Sequence, residues 1–124
     1  MERAFAVDTG AKQRRAGVVA LPTGSGTGSG LVRPPQSAGM RSGFVRLSPE
    51  QDVGLHSTGA NEELIVVLTG HGDLVVDGQG VLHLHPLHVA YVPPQTKHDV
   101  ICRGCEELQY VYAVSPAGPG DGRG

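Results

Sequence analysis

Proline and glycine interrupt this chain too often for it to hold a long helix. From Gly43 onward each extended run is closed by one of them: Pro49 after residues 44–47, Gly59 after 53–56, Pro86 after 81–84 and Pro93-Pro94 after 89–92. Proline removes a backbone donor and clashes with the preceding helical turn, while glycine leaves the backbone loosely held. With 19 Gly and 9 Pro in 124 residues, no stretch of roughly ten residues keeps a 3.6-residue period. About eight to ten short strands are predicted, with a turn about every eight to twelve residues, which means an all-β sandwich or barrel of the jelly-roll kind. Its core must be aliphatic, because hydrophobic residues make up 39% of the chain but aromatics only 4%, with no Trp.

The runs differ in kind. Residues 63–68 (ELIVVL) are continuously β-branched or aliphatic, as expected of a strand covered on both faces. Residues 73–76 and 81–84 flank Asp77-Gly78, a dipeptide that favours a type I′ hairpin turn. Residues 98–102 and 108–114 complete the set. Upstream, residues 18–21 (VVAL) are the first plausible strand, and residues 24–30, alternating Gly with Ser or Thr, read as a flexible linker. A phosphate-binding loop is excluded there, since no Lys-Ser/Thr follows and Pro34-Pro35 forbids a helix. The expected organisation is an N-terminal arm and linker over residues 1–30, a barrel over 31–116 and a frayed tail over 117–124.

Charge narrows the function classes. The net charge of −2 leaves no global basic footprint for nucleic acid. Up to Leu47 there are seven basic and two acidic residues, a local net of +5, which reads as a solvated N-terminal extension rather than a binding arm. No apolar run approaches the ~20 residues that span a bilayer, and the first residues lack the apolar stretch of a secretory signal. Two cysteines are too few for a disulfide framework, so a cytoplasmic, reducing setting is expected.

Six histidines are present, five of them between His71 and His98. His56 and position 58 would share a face of an extended strand, about 7 Å apart. Glu63 opens the next strand after a turn, and His98 starts a later one beyond Pro93-Pro94. Two imidazoles and one carboxylate from three segments can thus converge inside a barrel. His83 and His85 have metal-ligand spacing but are explained equally well by a half-exposed hairpin, while His71 and His88 read as turn residues. Cys102-Arg103-Gly104-Cys105 has redox spacing without a βαβ context, and reads as two free thiols across a turn. Cys102 faces the same side as His98 but lies ~13 Å further along, where it could line the same cavity. On the last run Leu108, Tyr110, Tyr112 and Val114 share a face. The tyrosines there either offer hydroxyls to a pocket or cover a dimer interface.

The stretch from His56 to Glu63, followed by Gly70, resembles the first signature of the cupin superfamily: His-x-His, four residues, Glu, six residues, Gly. Pro93-Pro94-Gln95-Thr96-Lys97-His98 resembles the second, Pro-x-Gly-x-x-His. The resemblance covers about residues 43–116 and implies a double-stranded β-helix. It also implies one divalent transition metal (Fe, Mn, Ni or Zn), a small-molecule substrate or ligand, and a homodimer that often exchanges an N-terminal strand. This chain departs from the signatures at Thr58, which replaces the second His, at Glu50, Leu87 and Gln95, which replace glycines, and at Cys102, which replaces Asn. The metal ligands that remain are His56, Glu63 and His98. Thr58, Glu62, Cys102, Tyr110 and Tyr112 are candidates for the pocket or the outer coordination sphere.

Two His and one carboxylate with open positions is the donor set of non-haem iron oxygenases. The expected function is a dioxygenase-like or isomerase-like metalloenzyme. The alternative is a metal-free binding module in which the two histidines pair with Glu63, since a lone carboxylate inside a barrel is costly.

Overall fold

A computed structural model describes residues 13–24 and 26–118. Eight strands follow one another in the described residues: β1 (Gly28–Val32), β2 (Arg41–Leu47), β3 (Asn61–Thr69), β4 (His71–Val76), β5 (Gly80–Leu84), β6 (Val89–Val92), β7 (His98–Arg103) and β8 (Leu108–Pro116). They form a five-stranded sheet, β1-β2-β8-β3-β6, and a three-stranded sheet, β5-β4-β7. All pairings are antiparallel. The fold is the all-β double-stranded β-helix. No helix among the described residues is long and apolar enough to cross a membrane.

Alternation builds the core. Along β3 the side chains of Glu63, Ile65 and Val67 are buried while Leu64 is 41% exposed. Ile65, Val67, Leu108 and Val92 from the five-stranded sheet join Leu74, Leu84, Val100 and Cys102 from the three-stranded one in a single cluster. β3 is therefore covered on one face only, contrary to the expectation from its unbroken aliphatic run. Its outer face stays apolar because Leu64 lies beside Tyr91 and Ala113 of the neighbouring strands.

Four further local expectations are corrected. Residues 18–21 form no strand, and Val18 is fully exposed. The strand that pairs with β2 is instead β1, which opens at Gly28, inside the expected linker. Main-chain pairing needs no side chain, so small residues suffice there. The Arg46 guanidinium reinforces the arrangement by donating to the carbonyls of Pro22 (3.1 Å) and Gly24 and lying over the Phe44 ring. Residues 53–56 form no strand: the segment is held to β7 by isolated bridges at Asp52–Ile101 and His56–His98, with Gly54 at φ +95° between them. Finally, β4 and β5 do form a hairpin, but only Gly78 and Gly80 take positive φ, not Asp77. The turn closed by Gln79 N donating to Val76 O (3.0 Å) is therefore not type I′, which needs two successive positive φ values. The first part of the expected N-terminal arm and most of the frayed tail fall on residues 1–12 and 119–124, outside the described residues.

Candidate metal centre

His56 and His98 are joined through their backbones before their rings meet. His56 N donates to His98 O (3.0 Å) and His98 N to His56 O (2.8 Å), which sets the rings 4.4 Å apart, centroid to centroid. A further bond, Gln95 N to Gly59 O (2.6 Å), ties together the two turns that carry them. Each ring donates its Nδ1 proton to a carbonyl two residues back: His56 to Gly54 (2.7 Å) and His98 to Thr96 (3.0 Å). A carbonyl can only accept, so both Nδ1 atoms carry hydrogen and both Nε2 atoms are available as donors of a lone pair.

Glu63 faces these nitrogens from β3, because its neighbours Ile65 and Val67 on the same face belong to the core. Its Oε1 lies 2.9 Å from His98 Nε2, with both side chains buried. A carboxylate and an imidazole lone pair cannot stand this close unless a proton or a metal cation lies between them. One donor atom from each of His56, Glu63 and His98 lies within 4.8 Å of the others. That spacing is within side-chain rotation of the roughly 3 Å that separates ligands around a common divalent ion. Second-sphere carbonyls that hold Nδ1–H are the usual means of fixing ligand histidines, so the donor set fits a transition metal. His56 is exposed whereas His98 and Glu63 are buried, so the group opens to solvent on the His56 side.

The site faces a cavity of about 400 Å³ whose walls include Val45, Val53, Val100 and Val114. Tyr110 and Tyr112 both line it, which resolves the two orientations left open by the sequence in favour of the pocket. Tyr110 stands opposite Val45 of β2, and Tyr112 opposite Gly43. The Tyr112 ring lies so close over Gly43 that a Cβ there would be 2.5 Å from its hydroxyl. Burial, and then the nearby Glu63 charge, push the Tyr110 phenol well above its ordinary value.

The other candidates divide. Thr58 lines the cavity, but its hydroxyl proton goes to the Asn61 carbonyl (2.9 Å), so only lone pairs face inward. Glu62 points to the outer face and accepts the Tyr91 hydroxyl (2.7 Å). The strict alternation that turns Glu63 inward was a signal in the sequence that Glu62 must turn out. Cys102 is fully buried in the core and does not line the cavity; its thiol donates to the Glu106 carbonyl (3.2 Å). Cys102 and Cys105 are free thiols. His83 pairs with Asp73 (2.9 Å) on the surface, and the rings of His71, His85 and His88 adjoin one another away from the cavity. The four valines and the two carbonyl acceptors were not anticipated. Alternation could have found the valines, whereas a carbonyl carries no sequence signal.

An all-β barrel in which two imidazoles and a carboxylate converge on an apolar cavity defines a jelly-roll protein with a candidate His-Glu-His metal site. Residues 43–114 match the Cupin domain family, and the chain belongs to it. Among solved structures it resembles the cupin domain of Schizosaccharomyces pombe Cnp3 (TM-score 0.65, 15% identity, 72% of this chain and 59% of that one). It also resembles a cupin 2 conserved barrel domain protein from Salinispora arenicola (TM-score 0.63, 25% identity, 73% and 75%). A conserved protein with a double-stranded β-helix domain from Klebsiella pneumoniae is similar as well (TM-score 0.65, 19% identity, 81% and 86%). No curated protein sequence matches the chain.

Proposed function

We propose that this cupin holds one divalent transition metal, Fe, Mn, Ni or Zn, through His56, Glu63 and His98, and acts on a small organic molecule as an oxygenase-like or isomerase-like enzyme. The observation that carries the reading is the pair of Nδ1–H bonds to Gly54 O and Thr96 O, which leave both Nε2 lone pairs available, that of His98 2.9 Å from Glu63 Oε1. A bound metal would supply Lewis acidity or oxygen activation at positions the three ligands leave open. The chain's own residues bind and orient. The valine walls keep water from the reacting molecule, and the tyrosine hydroxyls give it polar contacts.

Elemental analysis of untagged protein beside the His56→Ala/His98→Ala variant tests the proposal. About one equivalent of transition metal per chain, lost in the variant, is expected of a three-ligand site. Full stoichiometry retained in the variant, or no uptake of added Fe, Mn, Ni or Zn by the native protein, would overturn it.

A second reading has an observation of its own. The direct 2.9 Å contact of His98 with Glu63 satisfies both groups through a shared proton, and Thr58 supplies no fourth ligand. On that reading the barrel is a non-catalytic small-ligand-binding module. Under either reading we also propose a homodimer in the cytoplasm. Leu64, Val89 and Tyr91 form an exposed apolar strip on the outer sheet face, which supports the first, and the free thiols suit a reducing compartment, which supports the second.

A further inference from the structure

We propose that the cavity takes a compact, mainly apolar molecule bearing a hydroxyl or carbonyl oxygen, and that the Tyr110 hydroxyl binds that oxygen. The inference rests on reading the barrel cavity as a ligand site, and it names the ligand class. Two observations carry it. Tyr110 is 3% exposed and lines the cavity, yet its hydroxyl makes no hydrogen bond among the described residues. A buried phenol normally has a partner, so the group is left for something that enters.

The walls say what enters. Val45, Val53, Val100 and Val114 offer only methyl groups, and a volume of about 400 Å³ is near the lower end of the ~300–1,000 Å³ of ligand pockets. A hydroxyl or carbonyl oxygen on such a molecule accepts the Tyr110 proton.

Phenol and toluene are matched probes that differ only in the oxygen. Titrations of the full-length protein as purified are read from the methyl resonances of the four valines, with metal content measured on the same sample. Phenol should give saturable shifts and bind about fivefold tighter than toluene, from one hydrogen bond. Tyr110→Phe keeps the ring and its packing; it should abolish the preference for phenol over toluene and leave toluene binding unchanged. An unchanged phenol preference in Tyr110→Phe, or no saturable shift up to the solubility limit, would overturn the proposal. Protein that takes up no added metal yet shows the Tyr110-dependent preference would sink the metal reading and support this one. Metal-loaded protein without that preference would do the reverse.

Discussion

His98 commits its Nδ1 proton to the Thr96 carbonyl and meets Glu63 with its other nitrogen, so the chemistry of the site is settled by where single protons sit. These candidate ligands were legible in the sequence because their spacing on turns and strand starts is itself the signal. The inward aim of Tyr110 was not, since either face of β8 could have met the pocket until its pairing with β2 and β3 was known. A second residue-scale network lies on the surface. Burial alone would raise the Asp73 carboxyl, but hydrogen bonds from Arg103 (2.9 Å) and His83 (2.9 Å), with their charges, hold it below its usual range. A carboxyl lowered in the folded state stabilises the fold above its ordinary value near 4 and stops doing so as pH falls through the lowered value. Wild-type protein should therefore melt about 3 °C above Asp73→Asn at pH 7, a shift sized for a partly exposed pair. That gap should close as the pH falls through the lowered value. Melting curves across pH check it, and a gap that persists in acid would refute the account.

Turns decide the elements. Only three described non-glycine residues take positive φ: Glu50 (67°), Leu87 (65°) and Gln95 (57°). They are the three positions at which this chain departs from the glycines of the cupin signatures, so the backbone keeps the left-handed conformation without the residue that adopts it cheaply. Leu87 is 87% exposed, so its side chain contributes little packing there. Leu87→Gly should stabilise the fold by about 1 kcal/mol through relief of that strain. Gly70→Ala should do the opposite. Its φ is +81° and an added Cβ would collide with the Glu107 carbonyl and lie 2.7 Å from Leu108 Cα, costing about 2 kcal/mol or more. Chemical denaturation measures both, and equal stabilities for the two variants would contradict the assignment. Strands β2 to β8 were readable from alternation and breakers. The first strand was not, because Gly28–Val32 has no pattern and exists through the main-chain bonds that β2 offers it.

At the scale of the whole molecule the candidate site joins the two sheets. Glu63 belongs to the five-stranded sheet, while His98 begins β7 of the three-stranded one and His56 bridges to it. An ion that grips all three ties the sheets together and binds only the folded chain. At about a hundred times its dissociation constant such an ion adds ~2.7 kcal/mol, which for a barrel of this size raises the melting temperature by about 10 °C or more. Added Zn²⁺ should produce that rise in the native protein and none in His98→Ala. Equal shifts in both would place the ion elsewhere, at the surface histidines for example.

The sequence by itself determined the fold class, most strand positions and the three candidate ligands, because breakers, alternation and motif spacing are local properties that act over a few residues. Only the tertiary structure decided which strand lies beside which, and with it that both tyrosines face the cavity, that Cys102 does not, and that two carbonyls orient the histidines. Those outcomes depend on register between strands tens of residues apart. Register is fixed by burying one shared core, not by any residue's own preference.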